Sequence, residues 1–211
     1  MKYWGIVSGL IFFYASFLEG GELAYGQQTV RKAIAMTTTL LSDTLLPDIS
    51  HFLHRVAIVE SRWGEDPRTY RSGYWGGIWQ VDRVAFEDSQ DGDSHPSLRE
   101  WHRRLRLRSQ TLGLPHLDWS QLSWEDCISP LVSCLAARLY LATIPEPVPD
   151  SLEAQAVYWK KHYNKAQGKG TVEGFIGAVN SLERRSSRSS HSLVSEASLE
   201  NEGYLKTHQS S

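Results

Sequence analysis

Apolar residues recur at helical spacing through most of the stretch from Gln27 to Leu182, which restricts the chain to a mainly α fold with at most a small β-hairpin. Val30 to Leu45 reads as a first helix. Pro47, Asp48 and Ser50 open a second, which runs through Phe52, Val56 and Val59 to Trp63 and stops at Gly64. Residues 64 to 80 are rich in Gly, Tyr and Trp and read as a loop with room for a small hairpin. Asp82 to Ser89 forms a short helix, and Pro96 to Ser109 a longer one. Ser129 and Pro130 have the character of an N-cap and first helical residue, opening an apolar helix to about Leu141. Pro145, Pro147 and Pro149 make an extended connector. Asp150, with Glu153 three residues on, resembles a capping box for a helix ending near Asn164. Gly168 and Gly170 turn the chain, and Thr171 starts the last helix.

Both ends differ from this pattern. Met1-Lys2 precedes an uncharged run from Tyr3 to Leu18, and a polar stretch then ends at Ala24-Tyr25-Gly26, the layout of a secretory signal peptide cut before Gln27. The uncharged run of 16 residues is short for a spanning helix. Residues 183 to 211 hold nine Ser, four basic and four acidic residues. Few large apolar side chains accompany them, so the segment is expected to remain a disordered tail. The expected organisation is therefore a signal peptide over 1–26, one domain over 27–182 and a tail over 183–211. The exported protein is expected to be extracellular, monomeric and free of the membrane.

Charge and cysteine content narrow the function. The 22 basic and 24 acidic residues leave a net charge of −2, which creates no strong attraction for nucleic acid, and no nucleic-acid motif is present. Two Cys are too few for a disulfide-dense scaffold or a four-cysteine zinc site. Cys127 and Cys134 would stand roughly 10 Å apart in one continuous helix, too far to bridge. If Pro130 starts the helix, Cys127 precedes it, and an exported chain then has two readings: a Cys127–Cys134 disulfide or two buried thiols.

Glu60 is the most informative residue. Leu53, Ala57 and Glu60 share one side of the second helix, flanked by Val56 and Val59. An acid on that stripe is either paired with Arg55 or Arg62 at the core rim, or partly buried. Partial burial raises a carboxyl pKa, which a general acid requires near neutral pH.

After Glu60-Ser61-Arg62-Trp63 comes the loop, then Gly76-Gly77-Ile78-Trp79-Gln80-Val81-Asp82. This resembles the lysozyme-like superfamily, specifically the goose-type lysozymes and lytic transglycosylases. There a Glu-Ser pair ending a helix is followed roughly twenty residues on by Gly-Leu-Met-Gln. Gln80 stands 20 residues after Glu60, with Ile78-Trp79 in place of Leu-Met. The Gln-Val-Asp ending is closest to the goose type. Tyr163-Asn164 with Gly168 and Gly170 resembles a stretched form of the transglycosylase Tyr-Asn-Ala-Gly segment. The likeness covers residues 51 to 86 and extends more loosely to 182. The Tyr70–Gln80 loop is also similar to uncharacterised secreted animal proteins with this domain.

The resemblance implies an α+β lysozyme-like fold in which a cleft binds peptidoglycan or a related polysaccharide such as chitin. Glu60 carries over as catalytic acid and Asp82 as candidate second carboxylate. Ser61 joins the site set while helping to hold the helix end. Tyr74, Trp75, Trp79, Gln80, Tyr163 and Asn164 carry over as groove residues. Asp82 has an equal reading as the N-cap of the helix that follows it. Trp75 and Trp79, among glycines, are expected to expose flat faces to sugar rings. No cofactor or metal is implied. A fold retained for carbohydrate binding without turnover is the alternative.

Other signals are bland. His51 and His54 lack the spacing and the Glu of a metalloprotease helix. Asp88, Asp91 and Asp93 lack the calcium-loop register. Arg99, Arg103, Arg104, Arg106 and Arg108 suit either an anionic polymer or a solvated face with Glu87 or Glu100 nearby.

Overall fold

A computed structural model describes residues 25–41, 49–114, 117–166 and 168–184. Most of the expected signal peptide and tail, and the first helix beyond Leu41, lie outside the described residues. The fold is mainly helical, and no strand occurs among the described residues. It falls into two compact units, the first ending at Ser151, just after the proline connector, and the second beginning at Leu152.

The first unit is organised around α5, Pro130–Ala142 (helices are numbered here in chain order). Pro130 occupies its first turn, where a missing N–H costs nothing. Every residue from Leu131 to Leu141 is buried, so the helix is enclosed on all sides. Around it pack α1 (Gln27–Leu41), α2 (Ser50–Ser61), α3 (Arg83–Gln90) and α4 (Pro96–Thr111). In α1, Val30, Ala33, Ile34, Thr37, Leu40 and Leu41 are buried at helical spacing. In α4, Leu98, Trp101 and Leu105 face the core. Arg108 donates to the Thr39 and Leu40 carbonyls of α1 at 3.3 Å, and the other four arginines of α4 pair along its outer face: Arg99 with Asp93, Arg103 and Arg104 with Glu100, and Arg106 with Asp118. Such exposed pairs contribute little stability.

Two elements differ from expectation. The second helix ends at Ser61, because Arg62 and Trp63 both turn left-handed, with φ of 51° and 61°. The loop after it holds a 3₁₀ turn, Pro67–Tyr70, in place of a hairpin. Asp66 caps that turn by accepting the Arg68 backbone N–H, and Pro67 fits its first position.

In the second unit, α6 (Leu152–Tyr158) opens after Ser151, which places Glu153 in its first turn. It widens into a π-turn over Trp159–Asn164. The Trp159 ring packs 5.2 Å from that of Phe175, on the helix spanning 172–184 (α7). Thr171 opens α7: its hydroxyl accepts the Gly174 N–H at 3.0 Å. This helix continues two residues into the segment expected to be tail.

Candidate active site

The end of α2 is built by its own last residues. The buried Ser61 hydroxyl donates to the Ala57 carbonyl at 3.2 Å and accepts the Gly64 N–H at 2.8 Å. The Arg62 N–H closes on Ile58 O and the Trp63 N–H on Ala57 O. Trp63 is bulky for a left-handed conformation, which costs about 1–2 kcal/mol for such residues. Backbone strain of this kind clusters at functional sites. A third left-handed residue, Gln80, has φ of 49°.

Glu60, half-buried, lies against a cleft of about 270 Å³ lined also by Asp66, Arg68, Thr69, Arg71 and Gln80. The Gln80 amide is fixed on every side that protein reaches. Its Nε2 donates to Gly77 O at 2.6 Å and Thr69 O at 3.2 Å, while Oε1 accepts from Arg71 Nη1 at 2.8 Å. Both amide hydrogens are thereby spent, and Gln80 can meet a ligand only as an acceptor. The Arg71 guanidinium lies 3.7 Å from the centre of the Tyr74 ring, and the Tyr74 hydroxyl donates to Gln80 O at 2.6 Å. Burial pushes the Tyr74 phenol up to about 12; Arg71 opposes the shift, and the negative charges of Glu60 and Asp82 add to it. Both carboxylates therefore lie within electrostatic reach of one phenol. Hydrogen bonds from Arg68, through side chain and backbone, hold Asp66 down at about 2.

Gly76-Gly77 seats this segment on α5. The Ser133 hydroxyl donates to Gly76 O at 2.8 Å and accepts the Trp79 N–H at 3.2 Å, in the core. Ser133→Ala takes away the acceptor of the buried Trp79 N–H, while Gly76 O keeps the Val81 N–H at 3.0 Å, so a loss of about 1–3 kcal/mol is expected. Urea denaturation checks this, and wild-type stability in the variant would rule the bridge out.

The structure brings Glu60 and Gln80 together in the lining of one cleft; Tyr74 lies outside that lining and supports it through Gln80 O and Arg71, and Trp75, also outside it, is 37 % exposed. It corrects other assignments. Trp79 is fully buried and offers no face to a sugar, because the paired glycines let the backbone press inward. Its indole N–H donates instead to Leu53 O on the Glu60 helix at 2.9 Å. Ser61 is buried outside the lining of the cleft and spends its hydroxyl on Ala57 O and the Gly64 N–H, which gives it the role of holding the helix end. Asp82 meets the capping one of its two readings as the N-cap of α3, accepting the Ala85 N–H at 2.7 Å. Cys127 and Cys134 are buried free thiols, and burial raises both, Cys134 to about 12. Only Ser129 separates the 3₁₀ turn Trp124–Ile128 from α5, so the chain has no length in which to fold back. Tyr163 and Asn164 belong to the second unit. There Lys160 Nζ donates to Asn164 Oδ1 at 2.8 Å and to the carbonyls of Lys165 and Gly168, so the Asn164 amide serves its own loop.

Sequence reasoning missed Thr69, Arg71 and Trp124. Trp124 braces the site, donating to Val81 O at 2.9 Å with its ring 5.4 Å edge-on from Tyr74. Asp66-Pro67, a fitting N-cap and first helical residue, is a signal in this region that the loop reading passed over. Among the described residues no cluster of metal-ligating side chains occurs, and no helix is long and apolar enough to cross a membrane. Compared with protein-family models, curated proteins and solved structures, the chain matches none.

Proposed function

We propose that this protein is a secreted glycosidase cleaving the β-1,4 bond between N-acetylmuramic acid and N-acetylglucosamine in bacterial peptidoglycan. Glu60 is its general acid. The observation that carries the reading is the placement of Glu60: a half-buried carboxylate at the end of a helix that buries mainly apolar residues, in the lining of a cleft whose neighbouring groups are held by hydrogen bonds. Protonated Glu60 delivers its proton to the glycosidic oxygen as the C1–O bond breaks, and the sugar ring takes on oxocarbenium character. That centre is then quenched in one of two ways. Water attacks C1 and gives its proton to a carboxylate, for which Asp82 is the candidate. Alternatively the ring's own 6-hydroxyl attacks, returning its proton to Glu60 and closing an anhydro sugar.

Mass spectrometry of purified peptidoglycan after digestion tests the proposal. Soluble fragments are expected, with reducing ends for water attack and anhydro-muramic ends for internal attack. Intact polymer from every wall type would refute glycosidase action on peptidoglycan. The engagement of Asp82 as a cap favours a second reading, a carbohydrate-binding protein without turnover. That reading expects strand binding by the wild-type protein with no fragments released.

A further inference from the structure

The charges in the cleft are unevenly spent. Asp66 and Arg68 neutralise each other through a two-pronged pair, at 2.8 and 3.1 Å. Arg71 is a further charge in the lining of the cleft. Arg71 is exposed yet held in place, by Tyr74 beneath it and by bonds to Arg68 O and Gln80 Oε1. Both of those bonds leave from Nη1, so the rest of the guanidinium fork is available to an acceptor. Beside it lies Thr69, 2 % exposed, whose hydroxyl has no hydrogen-bond partner. A buried hydroxyl left unsatisfied costs about 1–3 kcal/mol, and a ligand oxygen would remove that cost.

Resting on the glycosidase reading, we infer that Arg71 and Thr69 form a carboxylate-recognition subsite, which makes the cleft selective for acidic amino-sugar chains over neutral ones. Arg71 supplies the charge and the planar fork that match a carboxylate, and Thr69 supplies a further hydroxyl from the wall. Gln80 contributes by holding the guanidinium. The acid itself has two chemical sources in peptidoglycan: the lactyl group of a muramic residue whose peptide has been removed, or a carboxylate of an attached peptide.

Binding is measured with the Glu60→Gln protein, so that the result does not depend on turnover. Three probes separate the sources: glycan strands stripped of peptide, strands with peptides attached, and chitooligosaccharides of matched length. The Glu60→Gln protein is expected to bind one acidic probe at least about tenfold more tightly than the neutral one. Preference for stripped strands identifies the lactyl carboxylate, and preference for substituted strands identifies the peptide. Adding Arg71→Ala should remove most of the preference, and Arg71→Lys should recover it only in part, since an ammonium keeps charge but loses the fork. Thr69→Val keeps shape and Arg71, and should lower acidic-strand affinity alone. Equal affinity for all three probes, or a preference untouched by Arg71→Ala and Thr69→Val, overturns the subsite. Failure of the wild-type protein to cleave, with the binding preference intact, overturns the glycosidase reading and leaves the subsite standing.

Discussion

Replacing Glu60 with Gln is expected to lower peptidoglycan turnover by about 10²–10⁴-fold, the usual contribution of a positioned general acid. The amide is nearly isosteric and helix-compatible, so α2 and its closure by Ser61 should persist. What disappears is the transferable proton. Muropeptide release measured by mass spectrometry gives the loss, and thermal unfolding of the variant shows that it arises from chemistry. Asp82→Asn is the informative partner. Asn caps a helix as well as Asp does, so α3 stays anchored through Ala85 while the charge is removed. A loss comparable to that of Glu60→Gln would make Asp82 the base that activates water. Turnover near wild type would restrict Asp82 to the cap and direct attention to internal attack. Full activity in Glu60→Gln would end the catalytic reading of this cleft.

Glu60 and the cap at Asp82 were legible through local rules, an acid on an apolar stripe and an Asp before a helix, whereas Gln80 was marked only by the resemblance, through its interval from Glu60. Helix order was legible for the same reason, since periodicity and caps are short-range signals. Trp79 shows where this stops. Indoles among glycines look exposed, but its partners are Leu53, 26 residues earlier, and Ser133, 54 residues later. The early end of α2 is a similar case. No propensity marks Arg62 and Trp63 for left-handed backbone; the requirement arises as the chain turns back and Gly26 N–H bonds Trp63 O at 2.7 Å. Arg71 is ordinary in sequence and becomes distinctive only when Tyr74 and Gln80 fold around it. In the second unit, Tyr-Asn was visible as a motif. The use of Asn164 by Lys160 depends on the π-turn, which no local signal marks.

Gly77→Ala is expected to destabilise the fold more than any other single methyl added to this loop. Gly77 has φ of +61°, and a Cβ there would drive into the Cys127 carbonyl and lie 2.8 Å from both Cβ and Oγ of Ser133. Neither obstacle is a flexible side-chain tip. Cys127 O is backbone of the 3₁₀ turn, and Ser133 stands on the central helix α5. Left-handed strain of about 1–2 kcal/mol and overpacking of about 1–3 kcal/mol then combine to roughly 3 kcal/mol. In a unit of this size that lowers the melting temperature by about 10 °C. Gly73→Ala separates the two causes, because Gly73 also has positive φ, +76°, but a Cβ there meets nothing within 4 Å. It should show the conformational cost alone, about 1 kcal/mol. Equal melting shifts for the two variants would mean that the loop is not pressed on α5. A much larger shift for Gly77→Ala, with weakened strand binding, would follow from the same contact. Gly77 O anchors Gln80 Nε2, and Gln80 in turn holds Arg71 beside the cleft.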